Sequence, residues 1–292
     1  MLNKNNKKQE GLLNMKNINL KLIRINPLTM PVIIADKMNL FKKYNINVNL
    51  KLDEDFTFDG NKDFYEGKVD AMVGDITFFF YMLEKGKKAI VTSNLTRTIQ
   101  VVGKNYPADL KKLRVGVNRT GLFRLYLEND LKEILPEAEP VWINNSYDRL
   151  QALENEEIHA LVAIEPFIGD VVENGGEVIW KSIDSDKNLV MWAFDEEFYK
   201  NKRDTIVDFY KALEEAQNLF NSFSSDEKFK MSIELAGYNN KLANRMRYFN
   251  FERQDNFRVE DFELCQEWMF RENEISTIYD SSKLIGDIFN HQ

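Results

Sequence analysis

Cysteine is almost absent: Cys265 is the only one in 292 residues. A single thiol allows no disulfide frame and no CxxC metal or redox pair. It sits in a helical pattern beside Leu264 and Trp268, a setting for a buried thiol rather than a reactive one. Histidine is as scarce, with only His159 and His291, which removes a His-based zinc site and a Ser–His triad. Glycine (13 residues) and proline (6) are few, and no GxGxxG or GxxxxGK segment exists to cradle a nucleotide. The expectation is therefore no metal, no cofactor and no catalytic residue set, with binding favoured over catalysis.

Positive charge is also in deficit. Lys and Arg number 39 against 47 Asp and Glu, a net charge of −8. A nucleic-acid partner would favour a basic face, since phosphate neutralisation carries most of that affinity. The one basic cluster, at residues 4–8, lies in an Asn/Lys/Gln-rich run that reads as a solvated, disordered leader. Apolar runs are far too short to span a bilayer. Residues 1–14 lack the apolar core and small-residue cleavage site of an export signal. On that pattern the chain reads as cytoplasmic, or as extracytoplasmic if a signal has been removed or the start lies at Met15.

What is present is core-forming material. Apolar residues make up 43% of the chain, with 21 Phe, ample for a packed interior. Residues 18–25 and 46–52 alternate apolar and polar, as half-buried strands do. Compact apolar runs at 69–74 and 88–93 alternate with helical patterns at 31–44 and 76–85. The same style recurs: strands at 113–118, 140–144, 159–165 and 177–183, with helices at 122–135, 147–155 and 167–174. This β-α alternation predicts mainly parallel sheets with helices on their faces. From 195 onward the pattern is almost wholly helical, over 202–223, 225–237, 241–251, 259–273 and 281–289, with Ser224–Ser225–Asp226 and Ser281–Ser282 as helix starts.

Four segments resemble a known family. They are VIIADKMNLFKKYNINVNL (32–50), YEGKVDAMVGDIT (65–77), ADLKKLRVGVNRTG (108–121) and ALENEEIHALVAIEPFIGD (152–170). In order and spacing they are similar to the type II periplasmic-binding-protein fold, in the SsuA-like group of sulfonate-, nitrate- and thiamine-precursor-binding proteins of ABC importers. Asn39, Lys111–Lys112 and His159 depart from the pattern, and Asn at 39 tolerates a left-handed backbone. The resemblance implies an α/β, two-lobed type II periplasmic-binding-protein-like fold with an interlobe cleft and a helical C-terminal part. Residues 1–16 would be a leader, 17–97 and 190–292 the first lobe, and 98–189 the second. It implies a small-molecule ligand, an organic anion or nitrogen heterocycle such as a sulfonate or thiamine precursor, and an ABC permease as partner.

Ligands of open α/β sheets bind off the carboxyl ends of strands. By position, the candidates are Asn26, Thr29, Asp75, Thr77, Asn94, Thr96, Arg119, Thr120, Gly121 and Glu165. Arg119–Thr120–Gly121 opens a helix and suits an anion, with an ordinary N-cap as the plain alternative. Asp75 accepts from a ligand amine or merely caps its helix. Glu165 ends an apolar strand and needs either a ligand cation or an arginine, Arg119 or Arg124. Trp142, Trp180 and Trp192 read as core before they read as ring-stacking platforms, and so does the run 78–81. An enzyme or a metabolite sensor on the same fold is the alternative function. The pyrimidine-synthase chemistry of some relatives uses a histidine and a cysteine cluster, whereas this chain has one Cys and no His in its early loops. A carboxylate-driven elimination on Asp75 or Glu165 remains open to it.

Overall fold

The computed structural model describes residues 15–54, 60–106, 108 and 112–289, with the side chains of 60 and 61 left aside. The basic run at 4–8, the middle of the acidic loop and His291 lie outside them. Strand β1 (Lys16–Ile23) follows from its alternation: Ile18, Leu20 and Leu22 are buried while the residues between them are not. It pairs in parallel with β2 (Ile46–Asp53), Ile18 opposite Val48. Between them run α1 (Met30–Lys37), buried from Met30 to Ala35, and α2 (Leu40–Lys43). Asn39 joins the two at φ 60°, the left-handed region that Asn enters at low cost.

Helix α3 (Gly60–Tyr65), β3 (Ala71–Asp75), α4 (Ile76–Glu84) and β4 (Ala89–Asn94) complete the first half. In this half β1 and β2 pair with each other and β3 and β4 belong to a separate ladder, the Asp70 N–H donating to the Asn19 carbonyl at 2.9 Å between them; the two ladders are taken together as the first sheet. The chain then enters a second sheet through β5 (Gln100–Gly103). There it builds β6 (Arg114–Val117), α5 (Leu122–Asn129), β7 (Glu139–Trp142), α6 (Ser146–Glu154), β8 (Ala160–Ala163), α7 (Phe167–Glu173) and β9 (Glu177–Lys181). The strand order is β7-β6-β8-β5-β9. Strand β10 (Val190–Asp195) returns to the first half and lies between β3 and β4.

Strands β5 and β10 correct the expectation of mainly parallel sheets. Strand β10 is antiparallel to β3 and β4, and β5 is antiparallel to β8 and β9. Each is the first strand laid down after the chain changes sheet. Its direction is set by that crossing and not by β-α-β winding, which alone demands parallel neighbours.

The C-terminal part is helical: α8 (Glu196–Asn201), α9 (Arg203–Ser222), α10 (Ser225–Glu234), α11 (Asn240–Met246), α12 (Val259–Arg271) and α13 (Ser281–Leu284). Helix α9 packs on α1 and α2, with Phe209 stacked on Phe41 at 5.7 Å. Helix α12 packs on α4, with Phe262 at 4.8 Å from Phe80. Ser224 opens α10 with a capping box closed by Glu227. Helix α13 stops short of the expected 289, because Ile285 bridges to Val91 and the Gly286 N–H donates to the Val91 carbonyl at 2.7 Å. Helix α11 packs on α10 and also touches α7 beside the second sheet.

Candidate functional site: a cleft between the two sheets

A cleft of about 440 Å³ opens at the carboxyl ends of β1, β3, β6 and β8. Its size suits a small molecule. Ile23, Leu28, Met72, Phe78, Phe123 and Ile164 supply apolar wall. Asn26, Thr29, Asp75, Thr77, Thr120 and Gly121 line it, among the residues the strand-end positions pick out. Asn94, Thr96, Arg119 and Glu165 do not.

Local chemistry accounts for the first set. The Asn26 side chain accepts from the Leu28 N–H at 3.0 Å and starts a 3-10 turn. The Thr29 hydroxyl donates to the Ile23 carbonyl at 2.8 Å, holding that turn against β1. Asp75 caps α4: its Oδ1 accepts from the Thr77 N–H at 2.9 Å, the Phe78 N–H at 3.3 Å and the Thr77 hydroxyl. Gly121 caps α5 at φ +81°. A Cβ there would stand 3.2 Å from the Thr77 hydroxyl of the opposite wall, so glycine serves both the backbone turn and the close approach of the walls.

The four others are engaged elsewhere. The Asn94 side chain accepts from the Asp255 N–H at 2.7 Å and the Thr96 hydroxyl from the Glu252 N–H at 3.0 Å. The end of β4 and the residues just after it therefore anchor the segment between α11 and α12. The Arg119 side chain is exposed, and its N–H donates to Asn144 at 3.0 Å. Glu165 is 7% exposed. It binds Arg245 of α11 at 2.8 Å and the Gly169 N–H at 3.0 Å. Its partner is an arginine, but neither Arg119 nor Arg124. The pair also leaves Glu165 committed and unsuited to act as a base.

Several site residues escaped the sequence reading. Phe78 is 41% exposed and Tyr81 half-buried; both line the cleft, while Phe79 and Phe80 are core, so the 78–81 run is split by the helical period. Trp180 and Trp192 are buried, and Trp142 is exposed under the Arg124 guanidinium at 5.7 Å. Glu274, with a side chain only 4% exposed, reaches across from the end of α12. It accepts from the Gly121 N–H at 3.0 Å and from the Tyr81 hydroxyl. The helix-start donor expected for a ligand anion is thus held by the protein's own carboxylate. Burial raises the Glu274 carboxyl's pKa.

Arg149 of α6 matters most. It lines the cleft at 1% exposure. It donates to the Ile143 carbonyl at 2.8 Å, the Asn144 carbonyl at 3.2 Å, the Ser146 hydroxyl at 2.8 Å and the Asn118 side-chain oxygen. Every acceptor is neutral. Among the described residues no carboxylate pairs with it, and its Nε has no partner. Burial pulls its pKa down to about 10, which still leaves it charged at neutral pH. Nothing local in the sequence singles it out, since it follows Asp148 in a polar helix.

Desolvation raises Asp75 from 3.8 to about 6, and the charge of Glu274 adds to this. The folded state therefore holds the Asp75 proton more tightly than the unfolded chain does. Its contribution to stability is full below pH 4 and lost as pH rises through 6. Asp75→Asn keeps the cap. It should be more stable than the parent at pH 7, with the gap closing by pH 4 in urea melts. A gap that does not change with pH would show that Asp75 bears no such burden.

No family model matches the chain, and no curated protein does. Solved structures do. The periplasmic aliphatic sulphonate binding protein SsuA from Escherichia coli matches with a TM-score of 0.74 at 14% identity, over 92% of this chain and 97% of that one. The alkanesulfonate-binding SsuA from Xanthomonas axonopodis pv. citri, bound to MOPS, matches at 0.67 and 10% identity, over 89% and 94%. The periplasmic nitrate-binding protein NrtA from Synechocystis PCC 6803 matches at 0.61 and 12%, over 82% and 75%. At such identities the fold is what is shared: this chain has the two-lobed periplasmic-binding-protein fold.

Proposed function

We propose that the protein is a solute-binding protein, the receptor component of an ABC importer, and that its cleft takes a small organic anion. The buried Arg149 guanidinium carries this reading. A buried charge without a counter-charge is costly, and a ligand anion entering the cleft offsets that cost. The sulfonate and nitrate specificities of structural neighbours point the same way. The apolar wall beside Arg149 suits an alkyl or aryl body behind the anionic head. A receptor of this kind works outside the membrane and hands its ligand to a permease. The cytoplasmic expectation drawn from residues 1–14 finds no support in the neighbours, several of which are periplasmic by name. No described helix is long and apolar enough to cross a membrane.

Residues 17–97 with 190–292 would move against 98–189, hinged at the two crossings between the sheets. Contacts flank the cleft on both sides: Glu165–Arg245 at 2.8 Å and Lys241–Asp170 at 3.2 Å on one, Arg124–Glu272 and Glu128 with the Trp268 indole on the other. On this reading these contacts hold the cleft closed. Arg245→Met leaves the buried Glu165 carboxylate without its cation, at a cost of about 3 kcal/mol that opening relieves. Small-angle scattering of the variant should show a larger radius of gyration than the parent. An unchanged radius would count against this hinge.

The test of function is calorimetry against short-chain sulfonates and carboxylates. Saturable one-to-one binding of one of them is expected, with a rise in melting temperature. Binding by none would sink the anion reading.

A further inference from the structure

Strands β1 and β2 carry one motif twice. Residues 17–22 read NINLKL and residues 47–52 read NVNLKL. They pair in parallel with like opposite like: Asn17 with Asn47, Asn19 with Asn49, Lys21 with Lys51. The Asn47 amide donates to Asn17 at 2.9 Å and the Asn49 amide to Asn19 at 3.1 Å. Strand β2 is the outer member of the pair. The Lys16 N–H donates to the Asn45 carbonyl at 3.1 Å and the Arg24 N–H to the Asp53 carbonyl at 2.8 Å. Main-chain groups alternate sides along a strand, so the odd-numbered residues of β2 face β1. Ile46, Val48, Leu50 and Leu52 turn their N–H and C=O groups outward, and among the described residues none of these groups has a hydrogen-bond partner. The other edges are covered or blunted. Ile285 bridges to β4 at Val91, and the Asp70 N–H ties the start of β3 to Asn19. Strand β7 has four residues with Pro140 among them, and β9 is bulged at Ile179. Strand β2 has eight residues in unbroken register, no proline, and Lys51 as its only charge before Asp53. Its apolar side is unfinished too. Ile18, Leu20 and Leu22 of β1 are buried, while Val48, Leu50 and Leu52 opposite them stay half-buried.

We propose that β2 is a self-association edge, on which a second copy of this chain lays its own β2 antiparallel about a two-fold axis at Asn49. In that register Ile46 faces Leu52 of the second copy and Val48 faces its Leu50, as hydrogen-bonded pairs, so every outward N–H and C=O gains a partner. The half-buried Val48, Leu50 and Leu52 are covered at the same time. Asn49 meets its own counterpart, and Lys51 meets an amide, Asn47. A slip of one residue would turn the apolar face of one copy onto the polar face of the other. A slip of two toward the carboxyl end would leave Ile46 unpaired. The alternative, a third strand of the motif added in parallel, sets a lysine beside Lys51. Within the chain the Lys21–Lys51 rung is held with two carboxylates, Asp63 at 2.9 Å and Asp53 at 3.3 Å from Lys21. The antiparallel pairing has no lysine rung, and a two-fold contact closes on itself, so association stops at a dimer. One strand pair makes a small interface, so the dimer is reversible, with a dissociation constant on the order of 10 µM.

Sedimentation equilibrium of the full chain should show a monomer passing to a dimer in that range, and exchange of the 46–52 amides should slow as the dimer forms. Val48→Pro removes an outward N–H that β1 does not use, so the internal ladder keeps its bonds while the edge is blocked. It should stay monomeric, with a melting scan to confirm folding. Cysteine cross-linking tests the register and does not depend on that variant. The native thiol Cys265 is buried, so an added cysteine reports alone. Under a mild disulfide oxidant Asn49→Cys should cross-link to itself. A mixture of Asn47→Cys and Lys51→Cys should cross-link where neither does alone, because only that pair comes within disulfide reach. A chain still monomeric at about ten times the expected dissociation constant overturns the proposal. Slow exchange of the 46–52 amides in such a monomer would assign the edge to another segment of the same chain. A dimer that survives Val48→Pro and leaves Asn49→Cys uncross-linked forms through another face, and overturns it as well.

Discussion

Arg149→Met should cost the protein its ligand. Removing one partner of a desolvated, hydrogen-bonded charge pair weakens binding by about 3 kcal/mol, roughly 150-fold. The guanidinium is already held in place by the Ile143 and Asn144 carbonyls, the Ser146 hydroxyl and the Asn118 side chain, so it is set before the ligand arrives. That preorganisation is what makes its removal expensive. Arg149→Lys keeps a charge and loses the planar fork. It should fall between the two, about tenfold weaker than the parent. Titration of the best-binding anion into all three proteins measures this, with a melting scan of each to confirm folding. Binding by Arg149→Met within about threefold of the parent would reduce the buried guanidinium to a strut for the turn between β7 and α6.

The largest loss of stability is expected from Trp192→Ala. Trp192 is 1% exposed on β10, the strand through which the chain returns to the first sheet. Its ring meets Phe209 of α9 at 5.3 Å and Phe194 at 6.4 Å. One side chain thus joins the returning strand to the long C-terminal helix. Truncating a buried Trp costs about 3–5 kcal/mol. At about 2–4 °C per kcal/mol for a chain of this size, the melting temperature should fall by roughly 10 °C. Trp192 does not line the cleft, so affinity measured well below the melting point should hold. A fall of under about 3 °C would mean that β10 is anchored by its backbone pairing and not by this ring.

What the sequence by itself determined is what depends on near neighbours in the chain. Ile18, Leu20 and Leu22 face one way because strand side chains alternate whatever lies around them. Asp75 and Ser224 cap helices because their side chains reach N–H groups two or three residues on. Asn39 turns left-handed because its own side chain permits it. The fold class was therefore legible, and so was half of the cleft, since Asn26, Thr29, Asp75 and Thr77 sit where a strand meets the next turn. Tertiary structure decided the rest. Strands β5 and β10 are short and mostly buried, so they carry no period to read, and only the crossing between sheets gives them a direction. Glu165 looked available in sequence until α11 placed Arg245 against it from 80 positions away. Arg149 lies in the polar helix SYDRLQALE and reads as a surface residue. It becomes a buried cation because the turn of carbonyls at 143–144 folds over it, and burial is a property of packing between distant segments, which no local pattern encodes.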